Sequence, residues 1–204
     1  MSVTLLNNCE KAADALAKAF MHDPFYSAIT ADLPPEAPER HQCLVRYFVY
    51  SLQEAEKFGT LVVPAPDAYG ASVWLFPQDS DTQETMDRDK KKFLAGLLGQ
   101  RGLAHYEAII GFMHPRAQQV VPQRNWYLSI AGVSPELQGR GLGERLLRPT
   151  LKEADQSGVC CYLETFNARS IRFYDKLGFT EVGSHLEPIT NSRYWIMLRE
   201  PHQA

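Results

Sequence analysis

The sequence holds only four cysteines in 204 residues, Cys9, Cys43, Cys160 and Cys161, and no two of them have the spacing of a CxxC redox pair or a zinc site. Adjacent residues on a strand point to opposite faces, so Cys160 and Cys161 read as small core residues in a reducing compartment, and no metal is expected. Long apolar runs are also missing. None approaches the roughly 18 residues that a membrane span requires. The stretch from Met1 to Glu10 lacks the basic region and unbroken apolar segment of a secretory signal, so the expectation is a soluble cytoplasmic protein with no membrane partner. Positive charge is not in excess either: Lys and Arg number 21 against 24 Asp and Glu, for a net charge of −3. The densest basic run, Lys90-Lys91-Lys92, follows Asp87 and Asp89, which argues against nucleic acid as a partner.

Hydrophobic residues at 45% and charged residues at 22% are ordinary globular values, so the chain is expected to fold unaided. Its length suits one α/β domain over residues 1–204. Apolar residues at helical spacing mark a first helix over Cys9 to Phe20 and a longer one carrying Leu44, Phe48, Ser51, Leu52 and Ala55, with the proline-rich loop around Leu33 to Pro38 between them. Thr60–Val63 and Ala71–Phe76 are rich in strand formers and flank a turn-forming Pro64–Gly70, which predicts an antiparallel hairpin. A charged segment from Asp79 to Lys92 leads into a helical stretch ending near Met113, with His114-Pro115 closing it, because a residue before proline is pushed out of the helical region. Downstream the pattern predicts a strand (Trp126–Val133), a helix (Gly143–Gln156) stopped at Gly158, a strand (Val159–Phe166) and a short helix (Ser170–Leu177) ended by Gly178. Two further strands, near Phe179–Gly183 and Arg193–Leu198, finish the chain. Strand, glycine loop, helix and strand make a parallel crossover unit.

The glycine loop, Gln138-Gly139-Arg140-Gly141-Leu142-Gly143, places alternate glycines at the start of a helix. Glycine permits positive-φ turns that aim successive N–H groups inward, and the helix terminus adds unpaired donors and partial positive charge. A pyrophosphate would fit there. Glycines in this position also serve simply to reverse the chain tightly. Gly143-Glu144-Arg145 lacks the Gly-Lys-Ser/Thr ending of a nucleoside triphosphate loop, and Ser134-Pro135-Glu136-Leu137 separates the glycines from the strand where a dinucleotide fold would join them directly.

The stretch from Trp126 through Val133 and on through Gln138 to Gly143 resembles the acetyl-CoA-binding signature of the GNAT N-acetyltransferases. Leu163-Glu164-Thr165, Asn167 and Phe173-Tyr174-Asp175-Lys176-Leu177-Gly178-Phe179 follow in that family's order, so the resemblance covers roughly Trp126 to Trp195. Looser matches at Ala19-Phe20, Pro24, Arg40-His41 and Val73-Trp74 are most similar to the family's puromycin N-acetyltransferase-like small-molecule enzymes. The resemblance implies the GNAT fold, a mixed central sheet of about six or seven strands with a parallel pair splayed around the cofactor and helices flanking it. It implies acetyl-CoA as cofactor and a small-molecule amine as partner, with the protein a monomer or homodimer. It further implies that the backbone of Ala131 and Val133 pairs with the pantetheine arm and that Gln138, Gly139, Arg140, Gly141, Leu142 and Gly143 hold the pyrophosphate. Asn167 then touches the same cofactor, and Tyr174 stands near the sulfur.

Direct transfer needs a neutral amine, a polarised carbonyl and a proton for the departing thiol. A strand N–H, that of Val133, is placed to donate to the oxyanion. A tyrosine hydroxyl with a pKa of about 10 stays protonated beside a thiol of about 8.5, so Tyr174 is the candidate acid. Its alternative is an amphipathic core tyrosine. Glu164 shares a strand face with Tyr162 and Cys160 and is either the base or an anchor for the amine. Asn167 can also cap the helix that follows it. Phe25, Tyr26, Tyr47, Trp74 and His114 are candidate acceptor contacts, against a core or loop role for each. A non-catalytic coenzyme A-binding module and a protein N-acetyltransferase stand as alternative functions.

Overall fold

Apolar spacing of three and four residues produces three helices before the first strand. In a computed structural model that describes residues 3–202, these are α1 (Val3–Ala19), α2 (Pro24–Ile29) and α3 (Pro38–Phe58). All five residues expected on the inner face of the second amphipathic helix, Leu44, Phe48, Ser51, Leu52 and Ala55, are buried in α3. The short α2 was not anticipated, yet its start is chemically ordinary. Asp23 caps it by accepting from the N–H of Phe25 at 2.9 Å and of Tyr26 at 3.4 Å, and Pro24 occupies the first turn.

Strands β1 (Gly59–Val62) and β2 (Gly70–Leu75) form the expected antiparallel hairpin. The next element departs from expectation: α4 runs from Ser80 to Val120. The charged segment is helical from its start, capped by Asp79, whose side chain accepts from the Thr82 N–H at 2.9 Å. Nor does His114-Pro115 end the helix. Both Pro115 and Gly111, whose carbonyl loses its i+4 donor at Pro115, are exposed to water, and Arg116 donates to the neighbouring Phe112 carbonyl at 2.6 Å. The break in α4 lies instead at Gly99, where φ is 69°.

The remaining elements are β3 (Asn125–Val133), α5 (Leu142–Ser157), β4 (Cys160–Thr165), α6 (Ala168–Asp175), β5 (Thr180–Glu187) and β6 (Ser192–Arg199). They complete a six-stranded sheet of order β1-β2-β3-β4-β6-β5, in which β3 and β4 are the parallel pair. Two cores sandwich it. The first four helices pack on Ala71, Val73, Ile130, Tyr194 and Ile196. On the other face, Leu147, Leu151 and Ala154 of α5 and Tyr174 of α6 pack on Trp74, Leu128, Cys161, Leu163 and Met197. Cys161 is buried in the core on the α5 face as expected, but Cys160 is only half-buried, its Sγ donating to the Glu200 carboxylate at 2.8 Å; all four cysteines are free thiols.

Candidate active site

One extra residue opens the sheet. The pairing of β2 with β3 runs from Gly70↔Val133 to Val73↔Ile130 and then steps to Trp74↔Leu128, which leaves Ser129 as a bulge in β3. The parallel ladder between β3 and β4 runs from Asn125↔Cys160 to Leu128↔Leu163 and stops at that bulge. Past it β3 continues to Val133 beside β2, and its other edge is free. The Ser134 N–H donates to the Tyr69 carbonyl at 2.8 Å, on the β2 side. Because extended residues alternate, the N–H and C=O groups of Val133 and Ala131 point the opposite way, into the gap. Gln138 agrees with this direction, since its Nε2 donates to the Val133 carbonyl at 3.0 Å.

At the end of β3 a single 3-10 turn, Pro135–Leu137, hands the chain to the glycine loop. Gly139 and Gly141 adopt φ of 77° and 74°, left-handed conformations that cost a non-glycine residue about 1–2 kcal/mol. A Cβ at either position would meet open space. Helix α5 begins at Leu142, and Arg145 is its first residue whose N–H finds a helical carbonyl, that of Gly141 at 3.4 Å. Among the described residues nothing accepts from the N–H groups of residues 139–144. That row of donors, with the helix dipole behind it, fits the pyrophosphate of coenzyme A, and the free edge of β3 fits its amide-bearing arm. Arg140 is exposed over the loop. Gly143 lets α5 approach α6, because a Cβ there would come within 3.3 Å of the Phe173 ring.

On α6, Asn167 caps the helix by accepting from the Arg169 N–H at 3.0 Å, so the expected capping role is present, with its side chain exposed beside the gap's far wall. Tyr174 is 8% exposed and packs among Phe173, Phe179 and Leu163 on the α5 face of the sheet. Burial alone pushes its hydroxyl pKa well up. The proton stays on Tyr174 throughout the neutral range.

Glu164 is on β4, one residue past the last rung of the parallel ladder. Leu163 packs toward Tyr174, so Glu164 projects from the opposite face. The Tyr127 hydroxyl lies 3.4 Å from Oε2, whereas Oε1 is fully buried without a partner. Burial pushes the carboxyl up to about 7, with the Tyr127 contact pulling weakly the other way. Tyr127 stacks on Tyr162 at 4.6 Å. Its hydroxyl is raised well above the usual range by burial first, then by the charge of Glu164 and by the neighbouring phenols of Tyr162, Tyr26 and Tyr47.

Three of the five candidate acceptor residues meet. Tyr26 stands edge-on to Phe25 at 5.1 Å and to Tyr47 at 5.4 Å, and Phe25 meets Tyr106 at 6.0 Å. A buried ion pair, Lys90 to Glu54 at 2.8 Å, lies near Tyr47 and Tyr106. Trp74 does not join them: it is 0% exposed under α5, with its indole N–H on Ser72 Oγ at 3.2 Å. It is a core residue because β2 is covered on both faces. His114 stands apart on the exposed side of α4, 2.8 Å from Gln118. It borders a cleft of ≈ 470 Å³ that reaches Asn125 and Tyr162. Tyr127 and Tyr194 were not singled out from the sequence, although both belong to the Glu164 face.

The family model of the acetyltransferase (GNAT) family matches residues 48–179. An uncharacterised N-acetyltransferase of Schizosaccharomyces pombe is 26% identical over 200 residues, 94% of this chain and 79% of the relative. Among solved structures, arylalkylamine N-acetyltransferase 2 of Aedes aegypti superposes with a TM-score of 0.65 at 15% identity, over 97% of this chain and 96% of its own. A protein of Corynebacterium glutamicum described as histone acetyltransferase HPA2 and related acetyltransferase gives 0.64 at 21%, over 97% and 93%. No helix among the described residues is long and apolar enough to cross a membrane. With well over half of its length matched, with the bulge, the splayed parallel pair and the open glycine cradle in place, the chain belongs to the GNAT family of acetyl-CoA-dependent N-acetyltransferases.

Proposed function

We propose that the protein transfers an acetyl group to the primary amine of a small molecule by direct attack, with Glu164 accepting the amine proton and Tyr174 supplying the proton to the thiol. The observation that supports this reading is that Glu164 lies one residue past the last rung of the parallel ladder, where the gap made by the Ser129 bulge begins, while Tyr174 packs on Leu163, the residue before it, from the other face of the sheet. Acetyl-CoA supplies an electrophilic thioester carbonyl. The N–H groups of Gly139 to Gly143 hold its phosphates, the Ala131 and Val133 backbone aligns its arm, and the Val133 N–H faces the developing oxyanion. Asn167 closes the far side.

A carboxyl poised near neutrality is matched to its task as a base at physiological pH. For a lysine-like amine of pKa about 10.4 that help is necessary, and for an α-amine near 8 it is minor. Phe25, Tyr26 and Tyr47, packed together beside Tyr106, form the wall against which the acceptor's body packs. Calorimetric titration of acetyl-CoA into the wild-type protein and into Gly141→Asp tests the cradle, and a thiol-release assay over a panel of amines tests the transfer. Micromolar binding that the aspartate abolishes, followed by amine-dependent thiol release, is expected; wild-type protein that binds no acetyl-CoA refutes the reading.

A further inference from the structure

Among the described residues three buried side-chain polar atoms have no hydrogen-bond partner, and two of them are Glu164 Oε1 and Tyr194 Oη. An unpartnered buried oxygen costs about 1–3 kcal/mol, so two in one neighbourhood require an account. Register puts them together. Glu164 on β4 faces Ile196 on β6, so Tyr194, two residues along, projects from the same face as Glu164 at the diagonal position. The charge of Glu164 reaches the Tyr194 hydroxyl, adding to the burial that raises it to about 12.

We propose that Tyr194 is a positioning residue for Glu164: Oη and Oε1 form a two-point site for a single hydrogen-bonding atom, which during turnover is the acceptor's amine nitrogen. Tyr127 holds the other carboxylate oxygen, so Oε1 is the lone pair left to face the amine. Around this pair, Glu164 meets Tyr127 from β3 and Tyr162 from its own strand. The charges of Arg116 from α4 and Glu187 from β5 act on the Tyr194 hydroxyl through space, and His185 from β5, Phe112 and Phe166 hold its ring, tilted or edge-on. A tyrosine so clamped has one place for its hydroxyl, and it sets where an amine beside Glu164 is held. This inference rests on the role given to Glu164 above.

The test is Tyr194→Phe, with a site-specific 3-fluorotyrosine at position 194 as a second variant that keeps shape and packing. Three readouts are taken: acetyl-CoA affinity by calorimetry, the pH profile of kcat/KM for the best amine, and the titration of the Glu164 side-chain carboxyl by carbon NMR, assigned with Glu164→Gln. The phenylalanine variant is expected to keep acetyl-CoA affinity within twofold. Its kcat/KM should fall by about tenfold or more, and, because the atom that bridges Oη and Oε1 loses one of its two anchors, the Glu164 midpoint and the acid limb should both move up. The fluorinated hydroxyl, a stronger donor, should move them down. An unchanged Glu164 midpoint in both variants overturns the inference. Full activity of Glu164→Gln would instead overturn the assignment of the base, and the carboxyl titration separates the two because it needs no turnover.

Discussion

The side-chain amide of Gln138 reaches back over the turn and donates to the carbonyl of Val133 at 3.0 Å, so the glycine loop is tied to the strand edge on which the coenzyme arm would lie. Gln138 is otherwise exposed and touches no core, so the bond is a local clamp rather than a folding contact. It fixes the direction of the N–H groups that follow.

Replacing Gln138 by alanine should therefore weaken acetyl-CoA binding while leaving the fold intact. One neutral hydrogen bond is worth about 1 kcal/mol, which is about fivefold in affinity. Calorimetry should show that loss with a melting temperature no more than about four degrees below wild type. A large drop in melting temperature would mean that the loop is a structural element instead.

Tyr174→Phe removes the proposed acid without opening a cavity, since the ring stays among Phe173, Phe179 and Leu163. The expected loss is about 10²–10⁴ in kcat with acetyl-CoA affinity and thermal stability nearly unchanged. Steady-state kinetics at saturating acetyl-CoA decides this. A loss under threefold would assign the tyrosine to the core alone.

Much of the carboxy-terminal half is legible in the sequence because each element has its own punctuation: Gly158 takes φ of 60° to stop α5, and the glycine loop starts it. The expected strands and helices there agree with the structure to within a few residues. Between Ser80 and Val120 the local rule about proline misleads, because its steric cost is borne at a solvent-facing turn where the orphaned carbonyl can be hydrated. Trp74 misleads for a different reason. Residues 70–74 of β2 are all buried, so no alternation distinguishes its two faces. Tyr127 and Tyr194 escaped notice because only the register across β3, β4 and β6 brings them to Glu164, and the Ser129 bulge changes which face each later residue of β3 presents. No single strand carries that information.

Glu164 offers a stability test that is independent of turnover. Its folded carboxyl is raised by burial to about 7 from an ordinary 4.5, so between those values the folded state keeps a proton that the unfolded chain has lost. Stability should then fall as pH rises from about 4.5 to about 7 and stay level above it. Glu164→Gln, which mimics the protonated form, should be more stable than wild type by about 3 kcal/mol at pH 8 and nearly equal at pH 4. Urea denaturation at the two pH values checks the difference; equal stabilities at pH 8 would show that the carboxylate is well solvated in the folded protein.

Asp155 carries the opposite sign. Its two oxygens grip the guanidinium of Arg199 at 2.7 and 2.8 Å, Oδ1 also accepts from the His202 N–H at 2.8 Å, and Arg199 Nε donates to the Leu177 carbonyl at 2.9 Å. One buried arginine thus joins the end of α5, the turn after α6 and the last strand, the three pieces that hold Tyr174 against the sheet. The hydrogen bonds from Arg199 hold the Asp155 carboxyl below its usual range, with burial acting against them. This contribution is fully present above about pH 4 and is lost as pH falls through the lowered folded value. Asp155→Asn leaves Arg199, 4% exposed, without its counter-charge, and should cost about 3–5 kcal/mol at pH 7. The penalty should shrink as pH falls through that lowered folded value, where the wild-type carboxyl itself takes up a proton. Pairing the change with Arg199→Met should recover part of the loss, because an apolar pair carries no buried charge. Denaturation curves of the two single variants and the double variant decide the matter: additive losses would mean that the ion pair is not the link between these elements.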